Sequence, residues 1–285
     1  MEIELKFLLE RQYIDIFLQL MRSGQIEATA GGRRTLSNLY YDTAKQALRA
    51  FDIGLRTRAS IDEAGESYSE QTVKLAGQDI GGLHQRPEFN IKIEANSEGR
   101  AHANLSLFDP TIWPTDFDVE RIQGELMILF ETNFVRESWV ITSPSGSRIE
   151  CVLDIGQVIA NEKTTPICEI ELELIEGQVA DVFHFAQFIA SKVPVKLGAL
   201  SKAARGYHLA KEQELTCSNL EPSELTPDVE LETALITMLA GTLKFIQHNE
   251  LVLDETDSPK ALRRIIDGIS MLIHTLNLFA PQLPN

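Results

Sequence analysis

Glu2-Ile3-Glu4-Leu5-Lys6-Phe7 opens the chain with charged and apolar side chains in strict alternation, and Glu169-Ile170-Glu171-Leu172-Glu173-Leu174 repeats the pattern far downstream. A period of two marks a strand with two chemically different faces, because successive side chains point to opposite sides of the pleat. Glu2, Glu4 and Lys6 therefore share one face. The same layout recurs over 54–59, 71–75, 84–93 and 148–154, where Arg56 pairs with Arg58, Thr72 with Lys74, Arg86 with Glu88 and Asn90, and Arg148 with Glu150 and Asp154. An open sheet could show all of these faces to water. A closed barrel would turn them inward around a polar lumen, with the apolar residues packing outward on helices. Helical spacing within 11–23 (Ile14, Leu18, Met21), 119–130 (Ile122, Leu126, Leu129) and 181–192 (Val182, Ala186, Ile189) supplies such covering helices and favours the inward arrangement. The expected fold class is α+β: a closed antiparallel β-barrel with covering helices, followed by a C-terminal helical segment.

Composition limits the alternatives. The chain has 285 residues, 44% of them hydrophobic and 24% charged, enough apolar material for a real core. Asp and Glu outnumber Lys and Arg by 42 to 26, a formal charge of -16, which argues against nucleic acid or an anionic membrane as partner. No apolar run approaches the roughly 18 residues of a membrane span, and the first residues read as neither a basic leader nor a cleavage site. Cys151, Cys168 and Cys217 are odd in number and form no CxxC pair, so a reducing, cytoplasmic setting is expected. Residues 1–211 carry the alternating segments, 212–227 read as a linker, and 228–285 as helical. Thr226-Pro227 and Ser258-Pro259 are the helix-start signals there. Leu231, Leu235 and Met238 line one helix, and Leu262, Ile265, Ile269, Leu272 and Leu276 the other. The segment is thus a small appendage or the opening of a longer helical domain.

A lumen that gathers Glu2, Glu4, Glu169, Glu171 and Glu173 needs compensating cations, since clustered carboxylates raise one another's pKa. Oxygen-only donors suit Mg²⁺ or Mn²⁺. Arg56, Arg58, Lys74, Arg86, Arg148, Lys202 and Arg205 supply fixed positive charge, and guanidinium forks match phosphate oxygens. Metal and many cations in one cavity describe a site for a small multi-phosphate anion. There is no Gly-x-x-x-x-Gly-Lys-Ser/Thr loop, so the chemistry is not of the P-loop kind.

These residues resemble a known family. Glu2-Ile-Glu-Leu-Lys6 is similar to the Glu-x-Glu-x-Lys signature of the CYTH, or triphosphate tunnel metalloenzyme, superfamily. The match extends through Gly54-Leu55-Arg56-Thr57-Arg58, Thr72-Val73-Lys74, Gly82-Leu83-His84-Gln85-Arg86-Pro87-Glu88, Arg148-Ile149-Glu150, Glu169-Ile170-Glu171 and Leu200-Ser201-Lys202-Ala203-Ala204-Arg205-Gly206-Tyr207. The middle and late motifs resemble most the bacterial inorganic triphosphatases, in which a CYTH module precedes a helical CHAD domain. The resemblance implies an antiparallel eight-stranded tunnel and cleavage of triphosphate by water into orthophosphate and pyrophosphate. It implies divalent metal on Glu2, Glu4, Glu169 and Glu171, with Glu173 a further candidate. Lys6, Arg56, Arg58, Lys74, Arg86, Arg148 and Lys202 would bind the phosphate chain. Asp154 and Glu88 would orient waters, or else serve as ion-pair partners of neighbouring arginines.

The tail is similar to the first helices of a CHAD domain in Asn249-Glu250, Leu262-Arg263-Arg264 and His274-Thr275-Leu276-Asn277-Leu278-Phe279. It departs in being short and in lacking a basic face, with four basic and ten acidic side chains over 216–285. His248 and His274 read as ordinary helix residues, and the apolar stripes as surfaces that pack on the barrel or join two copies into a homodimer. A small-molecule triphosphate is the expected substrate, with thiamine triphosphatase, class IV adenylate cyclase and a non-catalytic triphosphate- or polyphosphate-binding module as the alternatives.

Overall fold

The computed structural model describes residues 1–94, 102–211, 215–221 and 225–282. The chain divides into two compact units, Met1–Glu212 and Gln213–Asn285.

In chain order, the first unit contains β1 (Glu2–Leu9), α1 (Ile14–Arg22), β2 (Ala28–Asp42), α2 (Ala47–Ala50), β3 (Gly54–Asp62), β4 (Ser67–Lys74), β5 (Gln78–Ile80), β6 (Leu83–Arg86) and β7 (Glu88–Lys92). It continues with α3 (Val119–Glu125), β8 (Met127–Thr142), β9 (Arg148–Ala160), β10 (Lys163–Glu176), α4 (Val179–Lys192), β11 (Val195–Leu197) and α5 (Lys202–Lys211). The eleven strands form one curled antiparallel sheet in the order β5-β6-β1-β10-β9-β8-β2-β3-β4-β7, with β11 also on β1. β6, next to one end of that path, and β7, at the other end, are consecutive in the chain. β6 pairs with β1 and β7 with β4, and only Pro87 separates them. The alternating stretch 84–93 is therefore a strand broken at its proline, which has no N–H to give a ladder.

Hairpin geometry follows local chemistry. β9 and β10 are joined by Asn161 and Glu162, at φ 48° and 64°. Two successive left-handed residues make the turn whose twist suits a two-residue hairpin.

The two faces of the sheet separate as the alternation predicts. On β1, β9 and β10 the residues between the charged ones, among them Leu5, Phe7, Ile149, Cys151, Leu153, Ile170 and Leu172, pack with Phe17, Leu20 and Met21 of α1 and with Val182, Ala186 and Ile189 of α4. On the other side, Leu39, Leu55 and Val73 meet Leu105, Phe108, Phe117 and Ile122. The charged faces thus turn inward. At one end the inner face is occupied by α5, whose Tyr207 joins Tyr40, Phe130 and Phe134. Gly206 permits this approach: a Cβ there would stand 2.1 Å from the Phe130 ring.

Two helical expectations need correction. The helix read over 119–130 stops at Glu125, and Leu129 belongs to β8. Pairing of β8 with β2 along 127–142 outweighs the helical spacing of Ile122, Leu126 and Leu129.

The second unit holds α6 (Leu231–Thr256) and α7 (Pro259–Phe279). Ser258-Pro259 does start a helix, but Thr226-Pro227 forms a turn closed by Val229 N–H to Thr226 O, and α6 begins at Leu231. The buried seam is Phe245, Ile246 and Ile265, with Gly268 admitting Ile246. Ile265 of the α7 stripe lies in that seam, while Leu262, Ile269 and Leu276 are exposed, as is Leu231. Two helices bury only the narrow strip where they touch. His248 and His274 bond backbone carbonyls, of Thr216 and Ser270. No helix among the described residues is long and apolar enough to cross a membrane.

Candidate active site

The inner face of the first unit surrounds a cavity of about 280 Å³. β1 contributes Glu2, Glu4 and Lys6, β3 Arg56 and Arg58, β4 Glu70, Thr72 and Lys74. β6 and β7 add His84, Arg86, Glu88 and Asn90, while Arg136, Glu150, Glu171, Glu173 and Lys202 come from β8, β9, β10 and α5. Alternation alone explains the convergence: each residue occupies the inward position of its strand.

At the bottom lies a dense ionic network. Asp154 and Glu169 are fully buried, and Glu171, Lys6 and Lys202 nearly so. Arg136 forks onto Asp154 at 2.8 and 2.7 Å and reaches Glu171 at 2.8 Å. Lys202 bonds Asp154 at 2.6 Å and Glu171 at 2.8 Å and also pairs with Glu169. Lys6 sits 2.8 Å from Glu171 and 3.4 Å from Glu169, and Arg205 also pairs with Glu169. Burial opposes every one of these charges. The carboxylates nevertheless hold Lys6 and Arg136 well above their ordinary pKa, and the cations keep Asp154 low and Glu171 well below the carboxylate range. Asp154, Glu169 and Glu171 are the one group of three whose ligand atoms lie within 4.8 Å of one another among the described residues. Lys6, Lys202, Arg136 and Arg205 already match that charge.

The acid wall above it is different. Glu4 faces Glu173 across the β1–β10 ladder, and Glu173 faces Glu150 across β10–β9. Burial pushes Glu173 up to about 7, reinforced by Glu4 and Glu88. Burial likewise raises Glu2 to about 8 against the pull of Lys74, with Glu88 adding to the rise. Lys74 bridges the two, at 2.7 Å from Glu2 and 3.0 Å from Glu88, and Glu88 stays ionised. Carboxylates this short of positive charge, all oxygen donors, fit a hard divalent cation.

On the opposite wall, burial and the neighbouring Arg56 and Arg136 lower Arg58 to about 10, where it remains cationic. It is held by Asn38 at 2.7 Å and Glu70 at 3.4 Å. Arg56 is loosely engaged: beside a hydrogen bond with Tyr40, its ion pair with Glu88 is 3.8 Å long, and its buried Nε has no partner. A buried donor without an acceptor points to a missing anion.

The cavity therefore brings together Glu2, Glu4, Lys6, Arg56, Arg58, Lys74, Arg86, Glu88, Glu171, Glu173 and Lys202. Asp154, Glu169 and Arg205 lie behind its wall, and Arg148 is exposed at the start of β9, away from the lining. Glu88 and Asp154 both have the ion-pair partners that were one of the two readings. Sequence reasoning missed Arg136, Tyr40, Glu70 and His84. Arg136 was hidden because β8 was not recognised as a strand: it shares its face with the apolar Phe130 and Phe134, which masks the alternation of charged and apolar residues.

A single curled antiparallel sheet thus lines the cavity with cations on one wall and carboxylates on the other. The CYTH domain model matches residues 1–207, and the chain belongs to the CYTH family. Over 181 residues it is 34% identical to an inorganic triphosphatase of Haemophilus influenzae, covering 64% of this chain and 47% of that protein. The chain thus spans about half the length of that relative. Among solved structures it is similar to one from Hippeastrum, described as an adenylyl cyclase candidate with a dominant triphosphatase activity. That likeness has a TM-score of 0.51 at 19% identity, over 73% of this chain and 96% of the other, and concerns the fold.

Proposed function

We propose that the first unit hydrolyses inorganic triphosphate to pyrophosphate and orthophosphate, with Mg²⁺ or Mn²⁺. The observation that carries this reading is the cavity in which a partly unengaged cation, Arg56, faces a carboxylate wall short of countercharge. The eight-stave tunnel expected from the family resemblance is consistent with counting β6 and β7 as one stave bent at Pro87, beside β1, β2, β3, β4, β8, β9 and β10, with β5 and β11 as additions.

In this reading Arg56, Arg58, Lys74 and Arg86 bind the phosphate oxygens and fix the chain along the tunnel. Lys6, Arg136 and Lys202 keep the floor positive while their own carboxylates hold them still, so no reorganisation accompanies charge movement toward the leaving group. Glu2, Glu4 and Glu173 would hold the divalent cation, with Glu171 and Glu169 behind them. Bound there, it supplies Lewis-acid polarisation of phosphoryl oxygens and a more acidic water. Glu88 orients Lys74 and Arg56.

Inorganic rather than organic triphosphate is supported by the lining. Tyr40 is its one phenol ring, and that ring is stacked on Phe130 at 4.6 Å rather than open to a base or thiazole. Glu4→Gln and Glu171→Gln are expected to lower metal-dependent phosphate release more than 100-fold, about 2.7 kcal/mol, with the fold retained by circular dichroism. Full activity in both would overturn the assignment.

A further inference from the structure

β5, β6, β1, β10 and β9 carry one row of polar side chains in register. Asp79 pairs with His84, His84 with Glu4, Glu4 with Glu173, and Glu173 with Glu150. Residues directly opposite across a ladder stand on the same face. The His84 imidazole is therefore flanked by Asp79 on one side and by a run of three carboxylates on the other.

Its Nδ1 lies 2.7 Å from Asp79 Oδ1, and the second Asp79 oxygen accepts from Arg86 at 2.6 Å. Burial works against the Asp79 charge, but the hydrogen bonds from His84 and Arg86 keep its pKa below the usual range. With the Asp79 carboxylate at Nδ1 as hydrogen-bond partner, Nε2 is the ring nitrogen left to meet a ligand. That Nε2 is buried without a hydrogen-bond partner among the described residues, on a side chain that lines the cavity and is 8% exposed. Farther along the row, Glu150 and Glu173 make no ion pair with Lys or Arg among the described residues, and Glu4 has Lys6 at 3.3 Å.

We propose that His84 Nε2 is a nitrogen ligand for the divalent cation drawn to this row, with its ladder partner Glu4 supplying oxygen. The proposal rests on the metal-dependent reading above and adds a residue type to it. A ligating imidazole characteristically donates its other N–H to a carboxylate, which fixes the tautomer and ring orientation. Asp79 does this for His84, and through its second oxygen it ties the ligand to Arg86, a cation of the phosphate-binding wall. Nitrogen donors favour Mn²⁺ over Mg²⁺, which prefers an all-oxygen octahedron. The competing occupant of the gap is a proton shared by His84 and Glu4.

The test is pulsed EPR of Mn²⁺ bound to the full chain, which needs no variant. A directly coordinated ¹⁴N is expected in the wild type and lost in His84→Gln. By EPR titration His84→Gln should weaken Mn²⁺ binding about tenfold or more, while Mg²⁺ affinity by calorimetry changes less than about threefold. Mn²⁺ bound with no ¹⁴N coupling, or with unchanged affinity in His84→Gln, overturns the proposal and leaves the metal-dependent reading standing. Failure of the wild type to bind either ion overturns both.

Discussion

Arg56 shows how much of the chemistry rests on single side chains. Its orphaned Nε and loose pair with Glu88 leave it available to an anion, whereas Arg136, equally inward, is consumed by Asp154 and Glu171. The two should therefore fail differently. Arg56→Ala is expected to lower kcat/KM for triphosphate about 100-fold, through both KM and kcat, because ground and transition states alike carry phosphate charge. An unchanged KM would show that Arg56 does not touch the substrate. Arg136→Met leaves Asp154 with Lys202 as its one remaining cation and should destabilise the fold by about 3–5 kcal/mol in chemical denaturation. Asp154 and Glu171 have folded pKa values below their unbound values of 3.8 and 4.5. Their stabilisation is complete above those values and is lost as pH falls through the lower, folded ones. The melting temperature should thus hold near neutrality and drop below about pH 4. In Arg136→Met that acid limb should flatten. An unaltered limb would contradict Arg136's role in holding these carboxylates.

At the scale of elements, α5 is the part that turns a curled sheet into a site. It carries Lys202 and Arg205 onto the inner face, and it can lie there only because residue 206 has no side chain. Gly206→Ala is expected to cost about 1–3 kcal/mol by overpacking against Phe130. The double variant Gly206→Ala with Phe130→Leu should recover part of that loss. If the single change is neutral, α5 is not seated on Phe130. The strands that alternate charge with Leu, Ile and Val could be read directly, since their period and their two-faced chemistry agree, and so could the inward orientation of Glu2, Glu4, Arg56, Lys74 and Glu171. β2 and β8 could not, because Tyr40, Phe130 and Phe134 place apolar groups on the inner face under α5 and blur the alternation. Arg136 was lost with them. His84 was visible as a letter in a motif, but its orphaned nitrogen follows from a register between β5, β6 and β1 that no local pattern encodes.

For the whole molecule, the formal charge of -16 has to be set beside a cavity whose own charges balance. The seven Lys and Arg side chains of the lining are matched by seven Glu side chains, so the whole of the formal charge falls on the rest of the chain. Extended polyanions meet that acidic exterior, whereas the proposed substrate is short enough to reach the cavity cations. The full chain should accordingly pass through an immobilised heparin column at low salt; retention there would mean that a basic surface lies outside the tunnel. The most direct test of the central claim is product analysis with Mg²⁺ or Mn²⁺ present and inorganic triphosphate, ATP or thiamine triphosphate supplied in turn. The account predicts one orthophosphate and one pyrophosphate from each inorganic triphosphate, abolished by chelation, with much slower release from the two organic substrates. Cyclic AMP from ATP, preferential cleavage of thiamine triphosphate, or tight triphosphate binding without turnover would contradict it.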